Sequence, residues 1–203
     1  KASLREDPDV ILVGELRDRE TVEIALTAAE TGHLVIATMS TPSAAKTIDR
    51  LIDMFPPDDQ AQVRASLAGA LRFIVAQRLL PNAENSGVVP AVELLTGVLP
   101  VAALIRDNKL YQLPNVQQRG RAFGMIRFDD SLIELARNGR ISEETALRAA
   151  EGKKEMLQAL NPTAAAAAAA AAAPAPLPPG AAAKGIDNIK SKFGGLFGKK
   201  DKE

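Results

Sequence analysis

The sequence predicts an α/β fold built on parallel strand pairing, and three observations carry that prediction. Val10–Val13 is a short, apolar, largely β-branched run bounded by Asp7-Pro8-Asp9 and Gly14-Glu15. Such a run suits a strand buried on both faces. Arg19–Glu30 then sets Val22, Ala25, Leu26 and Ala29 on one helical face. Leu34–Thr38 is a second apolar run. Strand, helix and strand in this order make a βαβ unit, because parallel neighbours need a crossover. Thr31-Gly32 supplies the helix stop, glycine being a common C-terminal cap.

The remaining elements follow in order. A helix is expected from Pro42 or Ser43 to about Met54, and Pro56-Pro57 breaks it. Asp58-Asp59 are expected to cap the next helix, which runs to about Leu71. Phe73–Leu79 and Val88–Leu95 read as two further strands joined by a polar turn at 82–87. The region 98–160 reads as helical, with segments near 100–108, 128–138 and 142–160 separated by Gly120, Gly124 and Gly139. Ten alanines, Ala164–Ala173, and a proline-rich stretch to Gly180 form a semi-rigid linker over 162–184. In the last segment Ile186, Ile189, Phe193, Leu196 and Phe197 recur at helical spacing among lysines. That segment has two readings. Residues 185–200 suit an amphipathic peptide for an anionic membrane surface or a partner groove; Gly194-Gly195 suit a disordered end. The expected organisation is therefore a core at 1–97, a helical subdomain at 98–161, a linker at 162–184 and a basic tail at 185–203.

Composition excludes several function classes. Aromatics are 3% of the 203 residues and Trp is absent, so Leu, Ile, Val and Ala must fill the core. A formal net charge of zero argues against a nucleic-acid partner. With no cysteine there are no disulfides, no thiolate-held zinc and no thiol catalysis, which fits a reducing compartment. No run of 18 apolar residues is present to span a membrane. The segment from Pro162 onward carries +3 and the rest −3. The chain opens on Lys1, close to its first strand, and is read as the C-terminal piece of a longer protein.

Chemistry concentrates in two stretches. In Asp7-Pro-Asp-Val-Ile-Leu-Val-Gly-Glu-Leu-Arg-Asp18 an apolar strand ends in an acid. This places the Glu15 carboxylate at the carboxyl edge of a parallel sheet, where open α/β folds bind ligands. There it could hold Mg²⁺ through water or orient an attacking water; the plain alternative is a solvated acid at a strand end. In Thr31-Gly-His-Leu-Val-Ile-Ala-Thr-Met-Ser-Thr41 a strand carries His33 at its start and Thr38, Ser40 and Thr41 at its end. Small hydroxyls at a carboxyl edge suit phosphate contacts, whereas a lone histidine is most often structural.

These stretches, with "ALTAAETGHLVIATMSTPSAAKTIDRLIDMFP", "QVRASLAGALRFIVAQRLLP" and "GVVPAVELLTG", resemble the type II secretion and type IV pilus ATPase superfamily over roughly residues 3–97, and more weakly to 160. The lack of a four-cysteine zinc insertion and the stretch "AAKTIDRLIDMFP" resemble its pilus-retraction (PilT-type) branch. The resemblance implies the C-terminal part of a RecA-like P-loop ATPase core, with ATP and Mg²⁺ as nucleotide and ion. It makes Glu15 the catalytic acid and His33, Ser40, Arg17 and Arg50 nucleotide-binding. It also implies a hexameric homo-oligomer at the cytoplasmic face of the inner membrane, working against a pilus platform protein to power retraction and twitching. Pilus assembly or type II secretion is the alternative within the class, and a non-catalytic ring subunit the alternative outside it. Four departures bear on this. The GxxxxGK[ST] phosphate loop and the acidic box are absent from the chain. Ser40 stands where the family carries a second histidine. Pro100-Val-Ala-Ala-Leu-Ile-Arg-Asp107 keeps only part of the retraction motif AIRNLIRE. Without the loop's stacked N–H groups the chain alone is expected to be inactive toward ATP.

Overall fold

A computed structural model describes residues 8–161. The expected linker at 162–184 and tail at 185–203 lie outside the described residues. Strand β1 (Val10–Val13), helix α1 (Arg19–Glu30) and strand β2 (Leu34–Ala37) form the expected βαβ unit. The strands pair in parallel, Val10 opposite Leu34 through Val13 opposite Ala37. Helix α1 starts where Asp18, in extended conformation, accepts the Thr21 N–H. It ends at Thr31, and Gly32 turns the chain at φ 101°, a conformation that glycine adopts without Cβ strain.

Helix α2 (Ala44–Asp53) is capped by Ser43 and buries Ala44, Ile48, Leu51 and Ile52. Helix α3 (Pro57–Ala70) begins with Pro57 in its first turn. Asp58 and Asp59 do not cap it as expected; they lie inside the first turn, after Pro56 at the cap position. There they favour the helix through its dipole. Asp59 also pairs with Arg19 of α1 at 2.8 Å, tying the two helices.

Strands β3 (Phe73–Pro81) and β4 (Val88–Thr96) form an antiparallel hairpin. Beyond it lie α4 (Leu99–Arg106), α5 (Leu113–Arg119), α6 (Phe128–Arg137), α7 (Glu143–Ala149) and α8 (Lys153–Leu160). Short 3-10 turns at Leu110–Gln112 and Gly120–Phe123 flank α5. Ile126 makes a bridge with Leu94 of β4, so the region after 98 is not purely helical. The expected single helix over 142–160 is in fact two. Its break is held from elsewhere: Asp129 of α6 accepts the N–H groups of Glu151 and Gly152 at 3.0 and 2.9 Å.

Two hydrophobic cores organise these elements. The first joins Val22, Ile48, Ile52, Val63, Leu67 and Leu95 to Val101, Ile105, Leu113 and Met125, so the chain crosses 97–98 inside it. The second packs Val89 and Ala91 of β4 against Phe128, Leu132, Ile141 and Met156.

The βαβ strands depart from the expected burial on both faces. Val10, Leu12, Leu34 and Ile36, which share one face by register, are 49–75% exposed. Ile11, Val13 and Val35, on the other face, are half-buried. The reason is that no third strand among the described residues joins the pair. An apolar run shows that a strand tolerates burial, not that something covers it.

Leu12→Ser in this chain is therefore expected to shift stability by no more than roughly 0.5 kcal/mol, as surface changes do. Ile48→Ala, at a site with no exposure, should cost about 2–5 kcal/mol. Urea unfolding of the two variants checks the contrast. A second expectation concerns acid. Hydrogen bonds from the Thr21 N–H, and then from its hydroxyl, hold the Asp18 carboxyl below its ordinary value. A lowered folded-state pKa gives stability that is present above the unfolded value, about 3.9, and is lost as pH falls through the folded one. Asp18→Asn should be less stable than the parent at pH 7, and the gap should close towards pH 3. A gap independent of pH would show that the charge contributes nothing.

Candidate functional site

Parallel pairing fixes which groups meet. Both strands run in the same direction, so the residues after Val13 and after Ala37 emerge at one edge. The Leu16 N–H donates to the Thr38 carbonyl at 2.9 Å, carrying the pairing past the strand ends. The Thr38 hydroxyl donates back to the Gly14 carbonyl. Gly14-Glu15-Leu16 and Thr38-Met39-Ser40 are thus bound to each other at this carboxyl edge.

Glu15 is half-buried, and one of its carboxylate oxygens accepts from Arg17 Nε at 2.6 Å. The hydrogen bond and then the charge of Glu15 push the Arg17 guanidinium further above its already high value. Arg17 is therefore a permanent cation here. Its side chain is 76% exposed, so water screens the pair and exchange of partners costs little.

Ser40 and Arg50 also come together. Arg50 Nη1 donates to the Ser40 carbonyl at 3.2 Å. With Thr41, Pro42, Lys46, Asp49 and Asp53 they line an open cleft of about 300 Å³. Lys46, Asp49, Arg50 and Asp53 repeat at helical spacing along α2, opposite its buried side. The sequence reading named only Arg50 of these; the period of α2 would have supplied the rest. The segment entering α2 is held internally. Thr47 donates its hydroxyl to the Ser43 carbonyl at 2.9 Å, so the Thr41 hydroxyl is the donor in its 2.7 Å contact with Thr47.

His33 does not join this group. It precedes β2, at the end of the pair opposite Glu15 and Ser40. Five residue steps of extended chain, four intervening residues, separate it from Thr38, about 16 Å at strand rise. Its Nδ1 donates to the Ala28 carbonyl at 3.0 Å and lies 3.2 Å from the Thr31 hydroxyl. This bond closes the turn between α1 and β2. The physical reason is strand direction: the motif is compact in sequence, but a strand carries its two ends apart.

Buried against the start of α2 is a group that the sequence reading did not single out. Glu93 of β4, 7% exposed, accepts the Ala44 N–H at 2.9 Å with one oxygen and Gln117 Nε2 at 2.9 Å with the other. Its signal was an acid at an inward position of an otherwise apolar alternation, Val89, Ala91, Glu93, Leu95. Among the described residues no three carboxylates or imidazoles converge on a metal-sized site.

The Type II/IV secretion system protein family matches residues 1–160. A twitching motility protein of Neisseria gonorrhoeae is 48% identical over 155 residues, which is 76% of this chain and 41% of the relative. The type IV pilus retraction ATPase PilT of Pseudomonas aeruginosa is 46% identical over 151 residues, 74% of this chain and 44% of that protein. The chain thus spans less than half the length of these curated relatives. The structure of a pilus retraction motor PilT with bound ADP superposes with a TM-score of 0.68 at 47% identity, over 76% of this chain and 43% of that one. With the α/β order, the carboxyl-edge acid and a family match over most of its length, this chain belongs to the Type II/IV secretion system protein family.

Proposed function

We propose that this chain contributes the carboxyl-edge part of an ATP site in a pilus-retraction motor. The observation that carries the reading is the meeting of Glu15, Thr38, Ser40 and Arg50 at one edge of a parallel pair, in a chain 46–48% identical to proteins named for retraction and twitching. Glu15 is the group to orient an attacking water, and Ser40 and Arg50 face the terminal phosphate. An arriving phosphate competes with Glu15 for the exposed Arg17 and so frees the carboxylate. His33 holds the α1–β2 turn in this reading and does not touch phosphate.

A Mg²⁺ fits here only in the manner of nucleotide sites, with one carboxylate and the phosphates as ligands. Glu15 would hold it through water, and the ion would supply charge neutralisation at the phosphates. Stacked N–H donors for those phosphates would come from a part of the family fold that this chain does not span, so the 203-residue chain alone does not turn over ATP. The motor is a hexameric ring in the cytoplasm, working on a platform protein of the inner membrane. No helix among the described residues is long and apolar enough to cross that membrane.

Two measurements test the reading in the intact ATPase. Glu15→Gln keeps shape and removes both charge and basicity, so turnover should fall about 10²-fold or more while nucleotide still binds. Unchanged turnover would place the acid elsewhere. Ser40 bears on the alternative, a non-catalytic ring subunit. Serine lacks the ionisable ring that the family carries at this position. A charged donor is worth roughly 1.5–3 kcal/mol against about 1 for a neutral one, which corresponds to a slow enzyme rather than a dead one. Ser40→His should raise turnover several-fold. A parent with no measurable turnover and no gain in the variant would favour the non-catalytic subunit.

A further inference from the structure

We propose that Glu93 is a positioning residue for the edge segment 38–50, acting through Ala44 and Gln117; this deepens the nucleotide-site reading above and rests on it. Glu93 sits on β4, 49 residues in sequence from the Ala44 it holds. Its carboxylate is almost fully buried, which is costly unless each oxygen has a donor. Each does. One takes the Ala44 N–H, the first of the helical N–H groups of α2; the other takes the amide of Gln117, itself 5% exposed, on α5.

The consequence runs outward to the cleft. Ala44 is four residues after Ser40, and Ser43 and Thr47 hold the intervening turn. Six residues further along the same helix, Arg50 donates back to the Ser40 carbonyl. Fixing the Ala44 N–H therefore fixes the start of α2, and with it both cleft groups that face the terminal phosphate in the proposed reading. The aligned N–H dipoles at a helix start favour a carboxylate there, and a hydrogen bond to an ionised acceptor is about twice as strong as a neutral one. Glu93 does not reach the cleft, so its role is placement and not chemistry.

The chemistry of the pair separates placement from charge. In Glu93→Gln the side-chain amide can present oxygen to the Ala44 N–H and its NH₂ to a flipped Gln117, so both contacts survive without the charge. Glu93→Leu keeps bulk and removes both acceptors. Ala44→Pro removes the donor instead; proline is accepted at the first helical position, and Ser43 before it is already extended.

The experiment has two arms. The first is amide hydrogen exchange on the 203-residue chain without nucleotide. Residues 45–47 should exchange on the order of 10-fold faster in Glu93→Leu and in Ala44→Pro, the scale of losing one charge-assisted hydrogen bond, while α6–α8 are unchanged. Glu93→Gln should stay within about 3-fold of the parent, by the same scale. The second arm is ATP turnover of the intact ATPase. There kcat should fall about 10-fold in Glu93→Leu with KM little changed, and Glu93→Gln should restore most of it. Unchanged exchange at 45–47, or Glu93→Gln as impaired as Glu93→Leu, overturns the proposal. So does faster exchange with unaltered kcat. If Glu93→Leu does not fold, Ala44→Pro decides both arms. The exchange arm involves no nucleotide, so it distinguishes failure of the Glu93 assignment from failure of the ATPase reading.

Discussion

The parallel pairing of β1 with β2 is the constraint on which the site depends. Two adjacent strands running the same way cannot be joined by a tight turn, so the chain must cross over, and α1 is that crossover. The crossover needs a start and a stop. Asp18 supplies the first by accepting the Thr21 N–H, and Thr31 with Gly32 supplies the second. Because the pairing is parallel, residues leaving both strands collect at one edge. Glu15 and Ser40 share an edge for this reason alone; in an antiparallel pair they would lie at opposite ends. The same rule sends His33 away from them.

Strand pairing delivers the chain to the edge but does not hold the edge in shape. Locally, Ser43 caps α2 and the Thr41–Thr47 contact fixes the turn before it. These bonds span few residues, so they stabilise the turn without anchoring it to the rest of the fold. Glu93 provides the long-range tie. A buried carboxylate is an expensive group, and its cost is offset only by donors placed at hydrogen-bonding distance. Here the donors come from α2 and α5, so both helices must stay in place for the buried group to be tolerated. The cost of burial thereby becomes specificity of position.

Much of the fold was legible in the sequence because its signals are local. Helix α1 has its cap, its apolar face and its glycine within a short stretch, and its predicted bounds, Arg19–Glu30, are those observed. The hairpin was marked by two apolar runs around a polar turn. What escaped notice depends on distant residues. The break between α7 and α8 is held by Asp129, about twenty residues earlier, and Gly152 is its one local signal. The placement of Asp58 and Asp59 was misjudged because Pro56 takes the cap position without a side-chain bond. Glu15, Ser40 and Arg50, the candidates that share the carboxyl edge, were named through motif resemblance. His33 was named from the same resemblance, and strand direction sets it at the other end of the pair. Glu93 was legible in principle, as an acid on the inward side of an apolar alternation, but only strand periodicity reveals it.

Stability is unevenly spread over these parts, and the unevenness falls along the site. Neither β1 nor β2 contains a fully buried residue. The elements beside them do: Val22 of α1 and Ile48 of α2 are 1% and 0% exposed and belong to the first core. The edge carrying Glu15 and Ser40 thus rests on a weakly buried strand pair, flanked by helices that are anchored well. Local opening follows the number of buried apolar contacts, so the strand pair opens at lower free energy than α2 or the hairpin. Of the groups at the edge, Arg50 stands on an anchored helix, whereas Glu15 and Ser40 stand on segments leaving the strands. Ser40 is bound from both directions, by Thr38 two residues before it on Gly14 and by Arg50 on its own carbonyl. Glu15 lies between the Thr38 bond to Gly14 and the Leu16 bond to Thr38, and its side chain meets an exposed arginine. Its placement therefore follows that of the strand it leaves.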